Sequence, residues 1–283
     1  MNQVMGVVGS GVMGSGVAQV FAQAGYETIV VDRSEEQMAR TRDKIRSSIR
    51  FQKMMTGAAP AESAETVLGR IQFTTNLDAL QTCSFIVENV TENWEIKREV
   101  YERLNSICMP ECILGVNTSA ISITRVASLV QRPERVVGIH FMNPVPLKSM
   151  VEVIRGYHTS EETLTVTGQV LHSLGKEMVV VNDSVGFVTN RAMMIFVNEA
   201  VFMLQEQVAS AEDIDVLFKT CFGHKMGPLQ TADLIGLDTI LKSLEVLYDG
   251  FNDSKYRPCP LLKKMVDAGL HGMKSGQGFY SYI

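Results

Sequence analysis

The sequence predicts an α/β protein: a doubly wound, mostly parallel sheet in the first part of the chain and an all-α region after it. Three observations lead there. Short apolar runs alternate with helical patterns from Val4 onward, a glycine turn joins the first run to the first helix, and no strand pattern recurs after Asn190.

Val4 to Val8 is an apolar run suited to a strand covered on both faces, and "GSGVMGSGVAQVFAQAGY" turns from it into a helix rich in small residues. Thr28 to Val31 makes the next strand, with Asp32 at its end. Gly9, Gly11 and Gly14 therefore stand as G-x-G-x-x-G with a strand before and a helix after, the context in which that spacing means dinucleotide binding. Gly9 permits the tight turn, Gly11 lets a pyrophosphate approach the backbone, and Gly14 allows close packing of the helix. Asp32, 18 residues beyond Gly14, is placed to accept hydrogen bonds from an adenosine ribose and to repel a 2'-phosphate. This favours NAD, with Arg33 next door leaving NADP open. Met1 to Tyr26 carries no charge, but its glycines and the polar Ser10, Ser15, Gln19 and Gln23 argue against a membrane span or a signal segment.

Ser34 and Gln37 suggest a capping box for a long helix running toward Met55. Gly57 and Pro60 punctuate "TGAAPAES", and a second helix from about Ala61 to Leu68 completes a helical hairpin inserted into the alternation. Arg42, Lys44, Arg46, Arg50 and Lys53, with Ser48, give that hairpin a basic face. Such a face is either solvated surface or a site for a phosphate-bearing acyl carrier. Strands follow at Ile71 to Thr74, Phe85 to Glu88 and Ile113 to Val116, with a helix from Trp94 to Ile107 between the last two. Ligands of such a sheet bind beyond the carboxyl ends of its strands, where "VTEN" (Val90 to Asn93) and "NTSA" (Asn117 to Ala120) fall. Taken alone, the second cluster also reads as turn and capping residues.

The stretch "GIHFMNPVPLKSMVEVI" places an imidazole and a carboxylate in two otherwise apolar strands. If Val136 to Phe141 and Ser149 to Ile154 fold back antiparallel about Pro146, positions 140 and 152 face each other, because each lies six residues from the centre. His140 and Glu152 then form a general base with its orienting, charge-stabilising partner. The imidazole would take the proton of a substrate hydroxyl while hydride leaves the same carbon for nicotinamide.

Beyond this pair, "VVVNDSVGFVTNR" reads as strand, turn and helix start. "AMMIFVNEAVFMLQ" is apolar nearly all round and should be buried, within the domain or between subunits. Asp233 is a possible helix cap, and "GLHGMKSGQGFY" a closing loop. His158, His172, His224 and His271 lack comparable partners in the sequence.

Composition narrows the function further. The chain has 283 residues, 46% hydrophobic and 20% charged, and a net charge of -5 gives no basic footprint for nucleic acid. Cys83, Cys108, Cys112, Cys221 and Cys259 are odd in number and form no CxxC or metal-binding pattern. They read as reduced core residues in a cytoplasmic protein, and no metal is expected.

The chain resembles the short bacterial L-3-hydroxyacyl-CoA dehydrogenases of fatty acid metabolism, especially the 3-hydroxybutyryl-CoA dehydrogenases. The likeness is carried by "VVGSGVMGSGVA", "VTENWEIKREVYERL", "NTSAISIT", "RPERVVGIHFMNPVP", "MVEVIRG", "VGFVTNR", "GHKMGPLQTADLIGLDT" and "KSGQGFYSY", which run collinearly over almost the whole sequence. It implies a Rossmann-like NAD-binding domain with the helical hairpin over residues 1–184. A helical C-terminal domain for substrate and dimerisation would follow over 185–283. It implies His140 as catalytic base, Glu152 as its partner, and Ser119 and Asn190 as donors to the substrate oxygens. Asp32, Glu92, Lys97, Asn117 and Lys274 fall where the family contacts NAD, and Asn143 would help hold cofactor and substrate. Ser48 and Lys53 would meet the acyl carrier.

Two departures bear on the substrate. "NTSA" stands where the family commonly has NTSS, so Ala120 lacks a hydroxyl, and Met55 stands where a lysine for the CoA 3'-phosphate is expected. The resemblance thus implies reversible NAD-dependent oxidation of an (S)-3-hydroxyacyl thioester on CoA. The alternative is the same chemistry on an acyl carrier protein, such as a glyceryl thioester destined for polyketide extender units. A dehydrogenase of free hydroxy acids, and a non-catalytic dinucleotide-binding or structural protein, are the remaining readings.

Overall fold

The computed structural model describes residues 3–56 and 62–282, without the side chains of Lys53 and Thr56. Gly57 and Pro60, expected to punctuate the hairpin, lie outside the described residues. The chain forms two compact units, Met1–Asp183 and Ser184–Ile283.

The first unit is an eight-stranded sheet in the order β3-β2-β1-β4-β5-β6-β7-β8. β1 (Val4–Val8), β2 (Glu27–Val31), β3 (Ile71–Thr74), β4 (Phe85–Glu88), β5 (Ile113–Val116) and β6 (Val136–His140) pair in parallel. β4, β5 and β6 are buried along their whole length, as central strands covered on both faces must be. β7 (Met150–Arg155) then runs antiparallel to β6, and β8 (Glu177–Asn182) runs parallel to β7 at the edge. Met5, Val7, Val30, Val87, Val137 and Ile139 are among the core residues, each fully buried.

Helices α1 (Val12–Gln23), α2 (Glu35–Thr56), α3 (Ala64–Gly69) and α4 (Trp94–Ile107) connect the parallel strands. The expected capping box at α2 is half present. Ser34 Oγ accepts from the Gln37 N–H at 3.1 Å, but the Gln37 amide reaches the Ser10 carbonyl instead of returning to the cap. α3 begins at Ala64, three residues later than expected, because Ser63 caps it by accepting from the Thr66 N–H. The structure adds α5 (Ile123–Ala127) and α6 (Glu161–Ser173), which the pattern did not suggest. α5 is too short to show a period, and α6 carries three threonines and a glycine, poor helix formers. Ser160 caps α6, and Glu161 and Glu162 complement its N-terminus.

The second unit is helical: α7 (Thr189–Gln205), α8 (Ala211–Phe222), α9 (Pro228–Ile235), α10 (Leu237–Phe251) and α11 (Pro260–Asp267). Val197, Ala200 and Val201 of α7 are fully buried within the unit, and Met193 is 38% exposed. Two buried aspartates organise the unit. Asp215 accepts the Leu229 and Gln230 N–H groups at the start of α9 and the Tyr280 hydroxyl. Asp233 is not a helix cap. It lies inside α9 and accepts the Phe279 and Tyr280 N–H groups and the Tyr282 hydroxyl, tying down the C-terminal loop.

All five cysteines are free thiols, but only Cys83, Cys112 and Cys259 are buried; Cys108 is half-buried and Cys221 exposed, outside the expected core. No described helix is long and apolar enough to cross a membrane.

Asp233→Ala should strand three donors in the interior and lower unfolding free energy by about 3 kcal/mol. Chemical denaturation followed by circular dichroism measures it.

Candidate active site

The carboxyl edge of the parallel strands begins with the glycine turn after β1. Gly9 has φ +85°, a left-handed conformation open to glycine, and a Cβ there would meet the Asn89 backbone. A Cβ on Gly14 would overlap the Gly9 carbonyl oxygen, so α1 can begin this close to β1 only without a side chain. Gly11 has open space where a side chain would stand. Asp32 closes the turn from the end of β2: its carboxylate accepts the Ser10 N–H and hydroxyl, both at 2.8 Å, and the Ser34 N–H at 3.2 Å. Gln37 and Thr41 of α2 donate to the Ser10 carbonyl from the other side. Beside this turn lies a cavity of about 740 Å³ lined by Gly9, Gly11, Asp32, Arg33, Gln37 and Val90. Its open backbone at Gly11 and the Asp32 carboxylate suit the pyrophosphate and ribose of an adenosine diphosphate group, with Glu36, Arg40, Glu99 and Arg103 also in the wall.

β4 ends on a carboxylate that the sequence reading passed over. Glu88 is fully buried and grips the equally buried Lys97 of α4, at 2.7 and 2.9 Å from its two oxygens. Burial pushes the Glu88 carboxyl above its usual range, with the Lys97 ammonium acting against that shift. Lys97 also donates to the Asn117 carbonyl, and Glu88 accepts the Val90 N–H at 2.6 Å. Lys97, which the family likeness places at the dinucleotide, is thus held by the scaffold with its side chain removed from solvent. The signal available in the sequence was Glu88 itself, the one charge in a strand otherwise reading as doubly covered.

The loops above this pair interlock. The Asn117 amide donates to the Asn89 side chain at 2.7 Å, and Glu92 accepts the Thr118 hydroxyl and the Ala120 N–H. Trp94, at the first position of α4, lies under the Arg125 guanidinium of α5 at 3.6 Å from its ring centre.

At the reversal of the sheet, His140 and Glu152 are register partners. His140 Nδ1 lies 3.0 Å from a Glu152 oxygen, and His140 Nε2 lies 3.0 Å from Ser119 Oγ. His140 is 9% exposed and Glu152 5%, so the pair is shielded from bulk water. An ionised Glu152 can only accept, which puts the ring proton on Nδ1 and leaves Nε2 as the acceptor of the Ser119 hydroxyl. Nε2 is thus a basic site held in one orientation.

The other expected residues are spread along the chain. Asn143 is exposed in the turn after β6, next to the cis Pro144. Ser48 is half-buried on α2, and the Lys53 side chain lies outside the described residues. Asn190 is the second residue of α7, and Lys274, in the closing loop of the second unit, pairs with Asp238. On the hairpin, Arg46 is tied to Glu65 and Asp43, and Arg42 lies over the Phe73 ring, so the basic face is partly neutralised within the unit. Met55 is 62% exposed. No group of metal-binding side chains occurs among the described residues.

Residues 4–184 match the NAD binding domain of 3-hydroxyacyl-CoA dehydrogenase, and residues 186–282 match its C-terminal domain. The chain belongs to the 3-hydroxyacyl-CoA dehydrogenase family. It is an NAD-dependent oxidoreductase. A probable 3-hydroxybutyryl-CoA dehydrogenase of Deinococcus radiodurans is 48% identical over 98% of this chain and 99% of its own. A 3-hydroxybutyryl-CoA dehydrogenase of Bradyrhizobium diazoefficiens is 42% identical over 98% and 94%. The crystal structure of the (S)-3-hydroxybutyryl-CoA dehydrogenase of Ralstonia eutropha superposes with a TM-score of 0.94 at 38% identity, covering all of both chains.

Removing one partner of the Glu88–Lys97 pair leaves a buried charge without compensation. Lys97→Met should cost about 3–5 kcal/mol of stability, and adding Glu88→Leu should restore much of it. Urea midpoints of the two variants decide the point.

Proposed function

We propose that this dehydrogenase interconverts (S)-3-hydroxybutyryl-CoA and acetoacetyl-CoA, with His140 as general base. The observation that carries the reading is the hydrogen-bonded series Ser119, His140 and Glu152. Bound NAD supplies the hydride acceptor. The cavity beside the glycine turn would hold its adenosine end, with Asp32 facing the ribose. Glu92, Asn117 and Lys274 would contact the same cofactor, as the family likeness implies.

The substrate 3-hydroxyl replaces the Ser119 hydroxyl at His140 Nε2 and gives up its proton there. Glu152 holds Nδ1–H throughout, which fixes the ring and stabilises the imidazolium as it forms. Ser119, released from the imidazole, and Asn190 donate to the substrate oxygens, and Asn143 helps position cofactor and substrate. In the reverse direction the imidazolium returns the proton to the 3-keto oxygen.

Ser48 and Lys53 of α2 would meet the CoA moiety. Exposed Met55, with Phe51 and Met54 beside it, suits a second substrate. A carrier-protein thioester has the same reacting group without the nucleotide 3'-phosphate that a lysine at this position would bind. The enzyme acts as a homodimer in the cytoplasm. Val216, Leu217 and Phe222 of α8, 47 to 71% exposed, supply an apolar surface for a second copy.

NADH consumption should be fast with acetoacetyl-CoA, measured beside the same acyl group on a carrier protein. A fast carrier-bound substrate with a slow CoA ester would move the substrate to the second reading and leave the His140 chemistry intact. His140→Ala should lower kcat by about 100- to 10,000-fold while NADH still binds; near-normal turnover removes the imidazole from the mechanism. Asp32→Ala should narrow the preference for NAD over NADP, and an unchanged ratio of the two efficiencies excludes its contact with the ribose.

A further inference from the structure

We infer that Lys176 is a positioning residue for the reaction, setting the register in which His140 faces Glu152. The inference rests on the proposed base pair and concerns what holds it.

The two strands are joined by residues 141–149, a connection longer than the two to five residues of common hairpins. A short turn sets the register of the strands beside it; a connection of this length leaves that to contacts from elsewhere. A slip of one residue would turn the imidazole and the carboxylate to opposite faces of the sheet.

Lys176 supplies such a contact. It directly precedes β8, is 5% exposed, and donates from Nζ to the carbonyls of Val145 and Lys148, both at 2.7 Å. Those two carbonyls bracket the 3-10 turn Val145–Leu147 at the middle of the connection. Next to it, the Glu177 N–H donates to the Ser149 carbonyl at 2.8 Å and opens the β7–β8 ladder, with Met150 facing Glu177. Lys176 and the start of β8 thus hold the connection at three carbonyls, those of Val145, Lys148 and Ser149. The Gln52 amide, reaching the Pro146 carbonyl from α2, touches the same turn from another element.

The chemistry of Lys176 is unusual for a structural lysine. Among the described residues it forms no ion pair, so its buried charge is compensated by backbone dipoles alone. Glu88 and Lys97, in contrast, compensate one another. Burial lowers the affinity of the Lys176 ammonium for its proton, as expected without a carboxylate nearby. An apolar side chain would have filled the space at less cost in desolvation, but only a donor of this reach fixes two carbonyls of one turn.

A double-mutant cycle tests this. Lys176→Met keeps most of the stem and removes the donors. It should lower kcat with acetoacetyl-CoA about 100-fold, as expected for a misplacement near 1 Å, with NADH affinity and KM within about threefold of wild type. In a Glu152→Gln background the same substitution should cost less than about threefold more, because the pairing it protects is already impaired. Lys176→Arg, which keeps a charged donor, should recover part of the loss. Multiplying losses in the double variant, or wild-type kcat in Lys176→Met, would overturn the role of Lys176. Wild-type kcat in Glu152→Gln alone would overturn the base pairing itself, and this inference with it. Should Lys176→Met lack a cooperative melting transition, Lys176→Gln carries the same cycle with the same readouts.

Discussion

A parallel sheet can add strands without ever changing direction, and this one does so on both sides of β1, through β3 and through β6. The reversal at β7 is the constraint on which the site depends. In a parallel neighbour, the residue beside His140 would come from a strand reached by a long crossover. In the antiparallel neighbour it comes from a strand only a turn away, and the directly opposed side chains approach closely on one face. The same reversal places the pair at the carboxyl edge of β6, level with the loop that carries Ser119 after β5. Hence the imidazole has a carboxylate on one nitrogen and a hydroxyl on the other without any residue leaving regular secondary structure by more than three positions.

The parallel side of the edge is held by a different kind of force. Glu88 and Lys97 are both fully removed from water, an arrangement that is stable only when the charges neutralise each other and their remaining bonding capacity is used. Here it is used on the backbone: the carbonyl of Asn117 and the N–H of Val90. The loops after β4 and β5 are therefore fixed by charge-assisted bonds from below, while side-chain bonds between Asn89 and Asn117 and between Glu92 and Thr118 join them above. On the glycine turn, fit replaces charge. The turn can approach α1 only because Gly14 has no side chain, and Asp32 holds it by accepting from Ser10.

The strands and the site were legible to different degrees, for physical reasons. Central strands buried on both faces leave continuous apolar runs, so β1, β4 and β5 are read at their observed ends, as the edge strand β3 also is. The pairing of positions 140 and 152 could be found because a hairpin has a centre, and the centre falls at Pro146. Helix α6 could not be found, since its stability comes from its cap and from burial of Leu164, Val170 and Leu171 rather than from helix-forming residues. Lys97 was legible as a residue at the site but not as a buried one. Exposure depends on Glu88 meeting it from a neighbouring element, and nothing in the local pattern of α4 records that. Asp233 misled in the same way: an aspartate near a glycine suggests a cap, whereas its partners lie more than forty residues further along the chain. The family likeness supplied what lay beyond the reach of such patterns, including Ser119 as a partner of the site rather than a turn residue.

The sequence contains a single tryptophan. Trp94 stands between the loop holding Glu92 and the first turn of α4, half-buried, with a cation stacked on its ring. Indole emission, excited beyond the absorption of the seven tyrosines, consequently comes from one known place rather than from an average over the fold. Its energy and intensity depend on how closely the guanidinium of α5 stays against the indole. The native chain thus carries, without labelling, an optical gauge of the contact between the two helices that follow β4 and β5.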